Sequence, residues 1–331
     1  MTDQNFKSCT YIVTVNYKSE QVLVNFLKSI NNLRHSESIL KIIIIDSSGE
    51  LNPISVSSIS NHQVELIRLP LNQGFAYAAN IGLRTCLQRS KVDKINSYAW
   101  LLNPDTLVHP EALASLIENI SPQIILGSAV TNDGFTPDST IWGAGGTIDR
   151  SLNVDMQYHS EPLRNIPTTP YEFDYIPGCS MFIPLQILEK HGFMPEEFFL
   201  YFEETDWCLK LKKEGIKLKI VPQSLIQHIS ETGKMDAPYR VYFYNRNQIY
   251  FKFKNLGQSS DKLKLLLKTI SKIPKLLYLV AKEKDLNLKN TFLAHLLANF
   301  DVLRMLLIYA TNYNPWKNIS LSRLKLLKNR H

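Results

Sequence analysis

Cysteine is scarce in this 331-residue chain, which has only Cys9, Cys86, Cys179 and Cys208, far apart and without paired spacing. That excludes a disulfide framework and a structural zinc site, and it fits a reducing compartment. No run reaches about 18 uninterrupted apolar residues, so no spanning helix is predicted. The opening residues, Met-Thr-Asp-Gln-Asn-Phe-Lys-Ser, lack the apolar stretch of a secretory signal, and a cytoplasmic location is expected. There is no Gly-x-Gly-x-x-Gly fingerprint, no Walker A loop and no Gly-x-Ser-x-Gly elbow. Acidic residues are rare at one end. Residues 252–331 hold 16 Lys+Arg and 4 Asp+Glu, giving +12, whereas residues 1–251 hold 21 and 26, giving −5, and the two sum to the net +7. A mildly acidic body would repel a phosphate backbone, so no nucleic-acid partner is predicted.

What is present is ordinary globular material, 44% hydrophobic and 20% charged, and long enough for a large α/β domain with an appendage. Residues 11–17 are β-branched and aromatic, and residues 41–46 form a continuous apolar run ending in Asp46. Strands are also predicted at 64–69, 97–102 and 217–221. Helical spacing marks 20–33, the stretch from the Asn72 turn to Arg89, and 110–119. Strand and helix alternate four times, which predicts a doubly wound, mostly parallel sheet with ligands beyond the strands' carboxyl ends, where Asp46 and Asp105 fall. Residues 127–180 change to Gly-, Pro- and Thr-rich sequence and are expected to be loops and short antiparallel strands. Residues 258–331 return to helical spacing, with Pro274 and Pro315 as breaks.

The most informative stretch is 198–215. Aromatic residues there precede Glu203, Glu204 and Asp206, and Gly215 ends the amphipathic segment that follows. Acids in a first helical turn cap the helix dipole. Capping needs one acid, however, and apolar walls raise a carboxylate's pKa and prepare it to accept a proton, so catalysis is preferred. Asn103-Pro-Asp105 follows an apolar strand, and Asp105 either binds a hard divalent cation or caps the helix near Pro110. His228 could complete such a site, although a single His is more often structural. Asn72, Gly74 and Asn80 open a helix in a way that suits anion binding or an ordinary turn. Gly178-Cys-Ser180 either admits a sugar close to the backbone or marks a bulge.

In this order the pieces resemble the family 2 glycosyltransferases with the GT-A fold, particularly the rhamnosyltransferase-like branch. The matching residues are Val15-Asn-Tyr17, Ile45-Asp-Ser-Ser48, Asn72-Gln-Gly-Phe75 with Asn80, Leu102-Asn-Pro-Asp105, Gly178-Cys-Ser180, Tyr201-Phe-Glu-Glu-Thr-Asp206 and His228. The resemblance implies a Rossmann-like GT-A sheet with a C-terminal helical extension. It implies donor binding by Val15, Asn16, Tyr17, Asp46 (base or ribose), Asn72, Gly74, Phe75, Asn80, Asn103 and Gly178. Asp105 would be the last acid of the metal-binding Asp-x-Asp motif, with His228 as a further contact to Mg2+ or Mn2+ or to the diphosphate. Glu204 stands where the family's catalytic Asp sits, with Glu203 and Asp206 as alternative bases. The first acid of Asp-x-Asp is replaced here by Asn103.

The expected organisation is a catalytic domain at 8–250, divided into a nucleotide-sugar half (8–120) and an acceptor half (121–250), with a basic amphipathic tail at 251–331. The expected reaction is inverting transfer from dTDP-L-rhamnose, or a UDP-hexose, to a glycan or lipid-linked acceptor in bacterial surface polysaccharide synthesis. The tail, with apolar faces among lysines at 261–282 and 291–310, is expected to rest on an anionic membrane surface at its cytoplasmic side. The competing reading is a helical bundle or a homodimer contact. A nucleotidyltransferase lacks its Gly-rich triphosphate loop here, and a non-catalytic scaffold would not need four acids at 105, 203, 204 and 206.

Overall fold

Alternation along the first strand, β1 (Ser8–Asn16), decides the layering of the sheet. Cys9, Tyr11 and Val13 point into one hydrophobic layer, and Ile12 points into another. In this computed structural model the described residues are 8–34, 38–52, 58–93, 96–229, 237–308 and 316–328. After β1 come α1 (Glu20–Ile30), β2 (Ser38–Asp46), β3 (Gln63–Arg68), α2 (Phe75–Asp93), β4 (Asn96–Leu102), β5 (Thr106–Val108) and α3 (Ala112–Asn119). The chain continues through β6 (Ile124–Thr131), β7 (Ile141–Gly143), β8 (Gly146–Ile148), β9 (Val154–Met156), β10 (Tyr171–Glu172), β11 (Ser180–Pro184), α4 (Leu185–His191), α5 (Glu203–Lys213) and β12 (Lys217–His228). Among the described residues α6 (Pro238–Asn255), α7 (Ser259–Lys282), α8 (Leu286–Ile308) and α9 (Trp316–Lys328) follow.

The chain forms two compact units. The first holds residues 1–148, 154–194 and 204–230, and its main sheet runs β10-β12-β6-β11-β4-β1-β2-β3. The four strands β3, β2, β1 and β4 are parallel. β11 lies antiparallel between β4 and β6, and β6 is parallel to β12. Both faces are covered, which is why β2 reads as an unbroken isoleucine run. Ile42 and Ile44 pack with Leu23, Phe26 and Leu27 of α1, while Ile43 and Ile45 pack with Ala79 and Leu83 of α2. Each buried side chain of this size contributes about 1.5–3 kcal/mol. At Gly82 a Cβ would sit 2.4 Å from Val13 Cγ1, so α2 can approach β1 only with glycine there. Inside the sheet, Trp100 Nε1 donates to Ser180 Oγ (3.0 Å), and Ser128 Oγ is 2.8 Å from both Ser180 Oγ and Ser224 Oγ. This buried hydroxyl chain crosses β4, β11 and β6 and ends at the irregular step between Val221 and Leu225 of β12.

The second unit holds residues 149–153, 195–203 and 231–331. Phe199, Tyr242, Phe243, Ala294, Ala298, Leu324 and Leu327 form its core. Asp301 is buried there, with Arg323 Nε and Nη2 donating to its two oxygens (2.7 and 3.1 Å) and the Tyr242 hydroxyl donating to Oδ2 (2.8 Å).

Three expectations change. Pro274 does not break the tail helix but lies inside α7, on its exposed side. Pro315 lies outside the described residues. Residues 127–131 are not a surface loop but the second half of the buried strand β6. The strand expected at 217–221 continues through its irregular step to His228, so the histidine is a strand residue with a fixed partner.

Candidate active site

Strand directions collect the chemistry at one edge. The carboxyl ends of β1, β2, β4, β6 and β12 lie together, and the antiparallel β11 begins there, with Ser180 opposite Leu102. Asn16, Asp46, Asn103, Asp105, His228 and Gly178 therefore share one rim of the sheet.

The pairing of β5 with β12 sets Thr106 opposite His228. The turn before β5 is fixed by Asn103 N–H donating to Cys179 O (3.2 Å), Thr106 Oγ1 donating to Asn103 O (2.7 Å) and Ile229 N–H donating to Asp105 O (2.7 Å). As a result His228 Nε2 lies 3.5 Å from Asp105 Oδ1. The indole of Trp142, on β7, stacks on the imidazole at 4.8 Å and 21° and fixes its plane. Asp105 Oδ1 and Asn103 Oδ1 are enclosed and take no hydrogen bond among the described residues. A hard oxygen beside an imidazole suits Mg2+ or Mn2+, and the unbonded Asp105 oxygen fits that use. Among the described residues no group of three or more His, Cys, Asp or Glu is placed to hold a metal. A cation here would therefore draw its other ligands from water and substrate phosphate.

Glu204 opens the other side. Of the three acids at the start of α5, Glu203 and Asp206 are buried, whereas Glu204 is partly exposed. Burial of its carboxyl raises its pKa, against the opposing pull of the Glu204, Thr205 and Gly178 backbone N–H groups. Its Oε2 is enclosed and accepts no hydrogen bond among the described residues. The helix N-terminus thus holds the carboxylate while burial makes its ionisation costly. A Cβ at Gly178 would come within 3.4 Å of Glu204 Cγ, so glycine there keeps the carboxylate's flank open. Cys179 links the two halves. Its thiol pKa is pushed up by burial and, after that, by the charges of Asp105 and Glu204, which both act on it. The neighbouring Cys208 is pushed up to about 12, mainly by burial.

The remaining donor candidates divide. Asp46 is fully buried and accepts from Asn16 Nδ2 (3.2 Å), Ser48 N (3.0 Å), Ser48 Oγ (2.5 Å) and Leu51 N (3.0 Å). Burial alone would raise its pKa, but these hydrogen bonds outweigh it and hold the pKa below its ordinary value. Asp46 and Asn16 thus fasten the loop after β2. Val15 packs on the core and Tyr17 is partly exposed just past the strand. Asn72 Oδ1 accepts Gly74 N–H (2.9 Å), and Gly74, at φ 97°, turns the chain into α2 at Phe75. Asn80 is buried on α2, where its amide clamps the Met194 backbone, donating to O (2.8 Å) and accepting from N–H (3.2 Å). Trp142 was not among the predicted residues, because nothing local signals that an aromatic in a Gly-rich stretch will stack on a histidine 86 positions later.

A parallel sheet with an antiparallel insertion, acids and a histidine at its carboxyl rim, and a basic carboxylate across from them define a GT-A glycosyltransferase. The sequence profile of glycosyl transferase family 2 matches residues 11–183, just over half of the chain. The chain belongs to that family. It is 25% identical over 267 residues to the low-salt glycan biosynthesis hexosyltransferase Agl10 of Haloferax volcanii, covering 76% of this chain and 78% of that protein. It is 23% identical over 261 residues to the dTDP-rhamnosyl transferase RfbF of Shigella flexneri, covering 74% and 80%. The mannosyltransferase PcManGT of Pyrobaculum calidifontis, solved with GDP-Man and Mn2+, shares the fold at a TM-score of 0.51 and 14% identity, covering 97% of this chain and 86% of that one.

Proposed function

We propose that this chain transfers L-rhamnose from dTDP-L-rhamnose, with a UDP-hexose as the alternative donor, to a hydroxyl of a glycan or lipid-linked glycan in bacterial surface polysaccharide synthesis. The observation that carries the chemistry is that Glu204 lies against Gly178 while the turn that carries Asp105, with His228 beside it, is hydrogen-bonded to the next residue, Cys179. The likeness to a dTDP-rhamnosyl transferase over 74% of the chain supports the sugar.

Glu204 takes the proton from the acceptor hydroxyl as that oxygen forms its bond to the anomeric carbon. On the opposite face the bond from that carbon to the diphosphate oxygen breaks, and the nucleoside diphosphate leaves with the electron pair. A single base and no covalent intermediate invert the anomeric centre. Asp105 and His228 would hold Mg2+ or Mn2+, which when bound neutralises charge on the leaving diphosphate. The loop fastened by Asp46 and Asn16, together with the Asn72–Phe75 turn, borders the nucleotide. Thermal stabilisation by dTDP-rhamnose, UDP-glucose, UDP-galactose and GDP-mannose with Mn2+ tests the donor. The largest shift is expected with dTDP-rhamnose. A larger shift with a UDP-hexose removes the rhamnose assignment, and no shift with any of them removes the nucleotide-sugar reading.

The setting we propose is the cytoplasmic face of an anionic membrane. Among the described residues no helix is long and apolar enough to cross one. α8 packs Ala294, Ala298, Val302 and Met305 inside its own unit. α7 differs, because Leu263, Leu267, Ile270, Leu277 and Tyr278 are 45–57% exposed. At 100° per residue they form one stripe with Pro274, flanked by Lys264, Lys268, Lys275 and Lys282. Apolar burial with lysines nearby, each adding about 1 kcal/mol at an anionic surface, favours such a membrane. The double variant Leu267→Glu, Ile270→Glu should bind phosphatidylglycerol vesicles at least about tenfold more weakly. Unchanged sedimentation would count against the membrane, and loss of a dimer in the variant would assign the stripe to self-association.

A further inference from the structure

The backbone leading into Glu204 is unusual. Phe199, Tyr201 and Phe202 have φ of 68°, 70° and 73°, a region that bulky residues rarely enter. Phe199 has ψ of −51°, and Leu200 N–H donates to Phe198 O at 2.9 Å. Residues 198–200 thus form a γ-turn of the φ-positive kind, the rare and strained form. Conformations of this sort persist only where the surroundings over-determine them.

Those surroundings are two adjacent residues of α6, Arg246 and Asn247, both fully buried. Asn247 Nδ2 donates to three carbonyls of the turn: Phe198 O (2.9 Å), Leu200 O (2.6 Å) and Tyr201 O (2.8 Å). Arg246 Nη2 donates to Phe198 O (2.5 Å), and its Nε donates to Asn247 Oδ1 (2.8 Å), which fixes the amide's orientation. Arg246 Nη1 reaches Ser320 Oγ on α9 (2.8 Å). The rings are held as well, with Phe199 stacked on Phe243 at 4.9 Å and Phe202 against Phe251 at 5.5 Å.

We propose that Arg246 and Asn247 are positioning residues for Glu204: by locking the strained 198–202 turn they fix the backbone at which α5 begins, Glu203, to which Glu204 is joined. The inference rests on Glu204 being the base. Any relaxation at 199–202 passes along the chain to residue 204 within two peptide units. A misplacement of about 1 Å in a reacting group costs on the order of 10²-fold in rate.

The test measures steady-state kinetics and melting of the full-length chain with Asn247→Ala and Ser320→Ala, with Glu204→Gln as a reference. Asn247→Ala should lower kcat by about 10²-fold while the donor KM and the donor-induced melting shift stay within about threefold. It should also move the acid limb of the kcat–pH profile, because a displaced carboxyl meets different surroundings. Ser320→Ala, a milder change, should lower kcat a few-fold with the same KM. Folded variants whose kcat and pH limb match the wild type overturn the proposal, as does a parallel loss of donor binding. If Asn247→Ala does not fold, the Ser320→Ala result decides alone. Full turnover by Glu204→Gln would instead overturn the assignment of the base, and this inference with it.

Discussion

Glu204→Gln will lower transfer by about 10²–10⁴-fold while leaving nucleotide-sugar binding near wild type, because it removes the proton acceptor and little else. Glutamine keeps the shape and still accepts the backbone N–H groups at the helix start. Burial has already made ionisation of Glu204 costly in the folded chain, so its folded pKa lies above the unfolded one. Wild-type stability from this residue is therefore complete below the unfolded pKa and declines as pH rises through the window up to the folded pKa. Glutamine has no such loss. Melting curves across the acid-to-neutral range should show the variant gaining on the wild type as pH increases. A variant that is both inactive and less stable at neutral pH would mean that the carboxylate is a structural cap. Retained turnover would shift the base to Glu203 or Asp206.

Asp105→Ala should lower kcat/KM by about 10²–10³-fold, since a cation on a leaving diphosphate supplies several kcal/mol of charge stabilisation. It should also abolish the difference between melting shifts measured with nucleotide sugar in Mn2+ and in EDTA. His228→Ala should do the same to a smaller degree, because the imidazole has one ligand position and Asp105 can still bind. Wild-type turnover should vanish in EDTA and return with Mn2+. If Asp105→Ala keeps the metal dependence of the wild type, the cation sits elsewhere.

Much of this was legible in residue order. The isoleucine run at 42–45 reads as a strand covered on both faces, and that is where helices lie on either side. Asp46 and Asp105 read as rim residues because parallel strands deliver their last residues to one edge. The placement of His228 was not legible, since it depends on β12 passing an irregular step and pairing with a three-residue strand more than 100 positions earlier. The bond from Asn80 to the Met194 backbone was not legible either, because a partner more than 100 positions away leaves no local mark. Pro274 reads as a break because proline removes an intrahelical hydrogen bond, yet α7 runs on through it to Lys282. The aromatic run before Glu203 gave no sign of the turn it is bent into, in which Phe199 enters the core of the second unit.

The buried pair of Asp301 and Arg323 constrains how the chain may be shortened. Removing α9 from residue 323 onward would strand the Asp301 carboxylate in an apolar interior at a penalty of about 3–5 kcal/mol. α9 is thus a keystone, although its lysine-rich sequence looks expendable on paper.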